Sequence, residues 1–193
     1  MELFQINLIK AIKELKKRFP NESLQCLETG TLRNLAHKHN STLHISNTLG
    51  ALDKFTSIDI NPEYIKVSKS ACSNNKNTKW VTSDSLIYLR KDIGKFHFVF
   101  LDTMNCKNFI FEEFKLVVPK MIENGILIID DAGVDLNGNI DKSTTRVKGH
   151  KVSSFLLSIG LKGLIVKSPI GTQIWIDMYK HILEIVLAGL KNV

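Results

Sequence analysis

The sequence predicts an α/β fold: a doubly wound, Rossmann-like, seven-stranded sheet, mostly parallel, with a C-terminal antiparallel hairpin. Three observations carry this expectation. Short apolar runs alternate with helix-period segments along the whole chain. The runs are apolar on both faces, as in FHFVFL at 96–101 and GILII at 125–129, which suits strands covered by helices on both sides. Each of the first five runs also ends in an acid: Glu28, Asp59, Asp84, Asp102 and the pair Asp130 and Asp131.

The elements follow in order. Residues 3–18 space Phe4, Leu8, Ile12, Leu15 and Phe19 three or four apart, an amphipathic helix ended by Pro20. LQCLE (24–28) is the first strand, and STLHISNTLGAL opens on a Ser/Thr cap signal and reads as helix. KFTSIDI (54–60) is the second strand. In NPEYIKVSKSAC, Asn61 caps the helix, Pro62 takes its first position, and Glu63 sits in the first turn. KWVTSD (79–84) is the third strand, SLIYLRKDI a short helix, and FHFVFLD (96–102) the fourth strand. A helix is expected from Asn105 to Met121, followed by GILIIDD (125–131) as the fifth strand. AGVDLNGNIDKSTTRVKG is a polar loop, and HKVSSFLLSIG a helix with Gly160 just past its end. LKGLIVKS and TQIWIDM are the closing strands around a Pro-Gly turn. HILEIVLAGL (181–190) is an apolar helix expected to dock on the domain or on a second subunit, as in a homodimer built through the terminal helices.

Composition bounds the rest. The 193 residues suit one domain, 1–193, with an N-terminal helix in 1–20 and a C-terminal extension at 179–193. No run approaches the ~18 apolar residues of a membrane helix. The charged amphipathic N-terminus is not a signal peptide, so a cytoplasmic protein is expected. Three cysteines, Cys26, Cys72 and Cys106, form no CxxC pair and no even framework. The net charge of +7 is spread out, and its densest group, Lys13, Lys16, Lys17 and Arg18, reads as the solvated face of the first helix.

The acids at the strand ends carry the functional expectation. Ligands of open α/β sheets bind at the carboxyl ends of the strands. Crowded carboxylates repel one another and lose hydration, so a shared ligand with hydroxyls, amines or a cation is expected there. Asp59, ending the second strand, has the position of an acid that accepts from ribose hydroxyls. No GxGxxG and no glycine-rich phosphate loop is present, and Gly30 alone allows close backbone approach after the first strand. Adenosine without a pyrophosphate fits this pattern better than a dinucleotide.

With LETGT, SIDINPEY, VTSDSLIYL, FVFLD and PKMIENGILIIDD in this order, residues 24–178 resemble the class I S-adenosylmethionine-dependent methyltransferases, and within them the catechol O-methyltransferase-like small-molecule enzymes. The resemblance implies a cofactor turn at Glu28, Thr29, Gly30 and Thr31, a helix opened by Ser41 and Thr42, and a ribose-binding Asp59 with Ile60 packed on the adenine. It implies an adenine edge at Asp84 and Ser85, and Asp102 beside the reacting methyl group. In metal-dependent members, Asp102, Asp130 and Asp131 would hold Mg²⁺ or another divalent cation, which lowers the pKa of a bound hydroxyl. The alternative is an Asp131 that caps its loop and binds no metal.

The chain also departs from that family. LRNLAHKHN separates the cofactor turn from Ser41, without a second glycine. The usual His or Lys three residues after the fourth-strand acid is Asn105 here, with Lys107 two further on. His150, near Arg146 and Lys148, is a candidate base or site for an acidic substrate in its place, the alternative being a capping or solvated histidine. His37, His39 and His44 match no zinc spacing. The expected activity is methyl transfer to oxygen of a small-molecule or sugar-like acceptor. A cofactor-binding module without methyl transfer is the alternative that Asn105 raises. The charge raises a nucleic-acid methyltransferase, which no aromatic-interleaved basic stretch supports.

Overall fold

A computed structural model describes residues 3–34, 40–73, 75–134, 146–161, 164–168 and 171–193. The chain runs α1 (Leu3–Arg18), β1 (Gln25–Thr29), α2 (Ser41–Thr48), β2 (Lys54–Asp59), α3 (Pro62–Ala71), β3 (Thr78–Thr82), α4 (Ser85–Leu89) and β4 (Phe96–Leu101). It continues through α5 (Lys107–Val117), a 3-10 turn (Val118–Lys120), β5 (Met121–Ile129), α6 (His150–Ser158), β6 (Leu164–Ser168), β7 (Gly171–Met178) and α7 (Lys180–Leu190).

These strands form one sheet in the order β3-β2-β1-β4-β5-β7-β6. The first five run parallel, and β7 pairs antiparallel with both β5 and β6. The chain first winds outward from β1 to β3, then returns to β4 on the other side of β1. The reversal opens a crevice at the carboxyl ends of β1 and β4. Register brings the strand ends level: Thr29 pairs with Ile58 on one side and Leu101 on the other, and Leu101 pairs with Ile129.

Alternate residues of the same strands enter two cores, the period of two expected for a sheet covered on both faces. Leu27, Val99, Leu101, Leu127 and Ile129 pack with Phe111 and Phe114 of α5, Phe155 of α6 and Val186 of α7. Cys26, Phe98, Phe100, Ile126 and Ile128 pack with Leu8, Ile12 and Leu15 of α1 and Ile45 of α2. Burying each such side chain contributes about 1.5–3 kcal/mol.

Some boundaries differ from expectation for local reasons. The helix expected over 105–121 ends at Val117, because Pro119 lacks an N–H and the exit tightens into the 3-10 turn. β5 starts at Met121, not 125: Met121 pairs with Phe96, the register shifts before Phe98, and Asn124 takes a left-handed φ of 63° within the irregularity. The expected Asn61 cap is present, its side chain accepting from the Glu63 N–H at 3.0 Å. The turn residues 169–170 of the hairpin lie outside the described residues.

α7 docks on its own chain, with Val186 buried and Ile182, Leu183, Leu187 and Leu190 against the first core. No described helix is long and apolar enough to cross a membrane. The basic group on α1 is partly engaged, Lys16 pairing with Asp53 at 3.2 Å and Arg18 with Asp177 at 2.8 Å. All three cysteines are free thiols, Cys26 and Cys72 buried.

Candidate active site

The turn after β1 is built around Gly30. Its φ is +80°, and its N–H donates to the Ile58 carbonyl at 2.8 Å. A Cβ here would lie 2.2 Å from the carbonyl oxygen of Asp102, so only glycine lets the ends of β1 and β4 meet this closely. The Asp59 carboxylate ties two turns together, accepting from the N–H of Thr31 at 3.1 Å and of Asn61 at 2.8 Å.

Beneath this turn lies a buried polar frame. Glu28 is fully buried and accepts from the hydroxyls of Ser41, Thr42 (2.8 Å) and Ser57 (3.1 Å). Burial pushes its carboxyl up to about 8, against the pull of these hydroxyls and with a further push from the Asp102 charge. Thr31 Oγ1 lies 2.6 Å from Ser68 Oγ and 3.2 Å from Thr42 Oγ1, and Leu32 N–H donates to Thr42 Oγ1 at 2.9 Å. Glu28 thus fastens the start of α2 to β1 and β2.

A cavity of about 320 Å³ opens between the turns. Of the residues singled out in the sequence, Gly30, Asp59, Ile60, Asp84 and Ser85 line it. Glu28, Thr29, Thr31, Ser41 and Thr42 instead belong to the buried frame. Ile60 is 70% exposed, an apolar wall of the cavity. Asp84 also caps α4, accepting from Ile87 N–H at 3.1 Å. Arg33, Tyr64, Met104 and Phe109 also line the cavity. Tyr64 closes the SIDINPEY stretch, whereas no motif marks Arg33, Met104 or Phe109; these come from loops and a helix face that only the fold brings together.

Asp102, Asp130 and Asp131 do converge, but on Lys148. Its ammonium contacts Asp102 and lies 3.1 Å from Asp131 Oδ2 and 3.7 Å from Asp130 Oδ2, with the lysine side chain only 6% exposed. Burial disfavours the ammonium, but the three carboxylates more than offset this and hold its pKa above the ordinary lysine range. Burial pushes Asp130 up to about 7, with Asp102 adding to the rise, and it also raises Asp102, against the attraction of Lys148. The second oxygens of Asp130 and Asp131 also have partners: Gln173 Nε2 donates to Asp130 Oδ1 at 2.9 Å, and Arg146 Nη1 lies 3.3 Å from Asp131 Oδ1.

A divalent cation at these acids, as the resemblance implies for metal-dependent members, would have to share them with an ammonium. A second cation of charge two within ~3 Å of an ammonium would be repelled by about 10 kcal/mol even at an effective dielectric of 20. Among the described residues no group of three His, Cys, Asp or Glu is arranged to hold a metal ion. The sequence signal was the Arg146–Lys148 pair before α6, read there only as the neighbourhood of His150.

His150 begins α6, packs against Gly133, and does not line the cavity. Asn105 holds the loop before α6, its Oδ1 accepting from Val147 N–H at 3.0 Å. His37 and His39 lie outside the described residues, and His44 is half-buried on α2. A further residue escaped the sequence reading. Glu113 of α5 is fully buried and accepts from Thr103 Oγ1 at 2.9 Å. Burial pushes its carboxyl up to about 7, opposed by the hydroxyls of Ser85, Thr103 and Thr29.

The architecture is that of methyltransferase structures of the Rossmann-like class. An O-methyltransferase from Bacillus cereus in complex with SAH superimposes with a TM-score of 0.63 at 14% identity, over 89% of this chain and 80% of that one. The O-methyltransferase NovP matches at 0.66 and 9% identity, over 91% and 79%. The N-methyltransferase NodS from Bradyrhizobium japonicum matches at 0.58 and 12% identity, over 92% and 97%. No family model and no curated protein matches the sequence.

Proposed function

We propose that the chain is an S-adenosylmethionine-dependent methyltransferase acting on an oxygen of a small-molecule or sugar-like acceptor, with residues 1–193 working as one domain. The observation that carries this reading is the crevice at the β1/β4 reversal, where Gly30, Asp59, Ile60, Asp84 and Ser85 line one cavity. Its chemistry suits a nucleoside: a carboxylate for ribose hydroxyls, an exposed isoleucine for the face of a base, and a polar edge at α4 for the base nitrogens. The sequence holds no glycine-rich phosphate loop. The fold is shared with an O-methyltransferase solved in complex with SAH.

S-adenosylmethionine, when bound, supplies a methyl group on a positively charged sulfonium. The protein's own part is to bind and orient. Asp59 and Ile60 would hold the adenosine, and the Gly30 turn admits the cofactor close to the backbone. Asp102, whose side chain keeps 27% of its surface exposed, is the carboxylate of the acidic edge still open to ligands. Oxygen as the acceptor atom rests on the resemblance at strands one, four and five. Free cysteines agree with a reducing, cytoplasmic setting. A homodimer through the terminal helices belongs to the same reading, with Ile185 and Tyr179 partly exposed on and beside α7; light scattering tests it.

Titration calorimetry with S-adenosylmethionine tests the main reading. Binding is expected, weakened at least about tenfold in Asp59→Ala, or ~1.4 kcal/mol. No binding by the wild type, or full affinity in the variant, sinks it.

A further inference from the structure

We infer that Lys148 is the resident cation of the acidic edge, standing between Asp102, Asp130 and Asp131 where a divalent ion would otherwise sit. Three features of the fold hold it there. Val147 N–H is taken by Asn105 Oδ1, and Gly149 N–H by the Asp131 carbonyl at 3.1 Å, so the backbone is fixed on both sides of Lys148. Gly149 also lets this segment lie against the one after β5, since a Cβ on it would come within 2.7 Å of the Ala132 Cα. The lysine side chain is then enclosed by the carboxylates it neutralises.

The acids are also held in an arrangement suited to an ammonium. A hard divalent ion needs several oxygens directed at one point, at about 2.0–2.6 Å. Here Asp130 turns one oxygen to Gln173, whose own carbonyl oxygen accepts from Asn7 Nδ2 at 3.0 Å, and Asp131 turns one to Arg146. With Lys148 and Arg146 present, three negative charges meet two positive ones, and little charge is left to attract a metal.

Manganese binding to the full chain tests this, by calorimetry and by the loss of free Mn²⁺ spin-resonance signal after chelator treatment. The wild type is expected to bind no stoichiometric Mn²⁺ at this edge, and its melting temperature to be the same with Mn²⁺ or chelator. Lys148→Ala is expected to gain a Mn²⁺ site at least about tenfold tighter than anything in the wild type, and adding Asp131→Asn should remove it. A stoichiometric wild-type site that Asp131→Asn abolishes overturns the inference. So does a folded Lys148→Ala that gains no site. If Lys148→Ala folds only with Mn²⁺, the inference stands; if it does not fold at all, the wild-type measurement decides alone. No cofactor enters these measurements, so the result is separate from the success or failure of the methyltransferase reading.

Discussion

Gly30 is the tightest point in the site. Any side chain there meets the Asp102 carbonyl oxygen, and the residue must also keep a φ of +80°. Gly30→Ala is therefore expected to spread the ends of β1 and β4. Loss of at least ~3 kcal/mol of stability in urea unfolding is expected, together with loss of cofactor binding. Full stability in that variant would contradict the close approach. Asp59 works differently: its two backbone partners make it a clamp between neighbouring turns as well as a wall of the cavity. Asp59→Ala should thus reduce ligand affinity while far-UV circular dichroism stays unchanged.

At the scale of elements, capping and burial give separate signatures. Asn61 caps α3 through the Glu63 N–H, with Pro62 in the first turn, so Asn61→Ala should cost about 1 kcal/mol by urea unfolding, well short of a core deletion. α5 carries Glu113 into the interior, where burial raises its carboxyl from 4.5 to about 7. The folded chain therefore holds this proton more tightly than the unfolded one. The resulting stabilisation is complete below pH ~4.5, falls as pH rises, and is gone above ~7. The shift corresponds to about 3 kcal/mol at most. Glu113→Gln should flatten that part of the decline, seen by comparing unfolding free energies of variant and wild type at pH 5 and 8. An unchanged slope would show that Glu113 does not hold its proton in the fold. Glu28, raised to about 8 by burial, contributes a decline of the same sign in both proteins, so the difference between them isolates Glu113.

Across the whole molecule, one sheet serves two cores. Phe114 lies in the first, 5.9 Å from Phe155 and 6.2 Å from Phe111 between ring centres, and Ile12 in the second. Phe114→Ala should cost about 3–5 kcal/mol and Ile12→Ala about 2–5 kcal/mol. Because the same strands border both cores, each variant should still unfold in one transition, with circular dichroism and the fluorescence of Trp80 and Trp175 coincident. Separate transitions would show that the two faces fold independently. The elements of this architecture were legible because their signals are local. A period of two or 3.6, a Pro after Asn61 and a Gly after α6 act within a few residues. The misplaced start of β5 was not local in this sense: it depends on pairing of Met121 with Phe96 across a register shift.

The sequence by itself determined which residues stand at the carboxyl edge of the sheet, because strand periodicity and the position of each acid after its apolar run are properties of adjacent residues. Asp59, Asp84 and Asp102 fall at that edge for this reason. Only the tertiary structure decided what the acids face. Glu28, placed in the cofactor turn by the resemblance, is fully buried and anchors α2, because Ser41, Thr42 and Ser57 come to it from other elements. Asp102, Asp130 and Asp131, expected as metal ligands from the resemblance, enclose Lys148. That lysine lies 46 residues beyond Asp102, and the contact exists only through the parallel pairing of β4 with β5 and the close packing at Gly149. No local pattern encodes a meeting across that distance, and it is this meeting that sets the charge at the candidate active site.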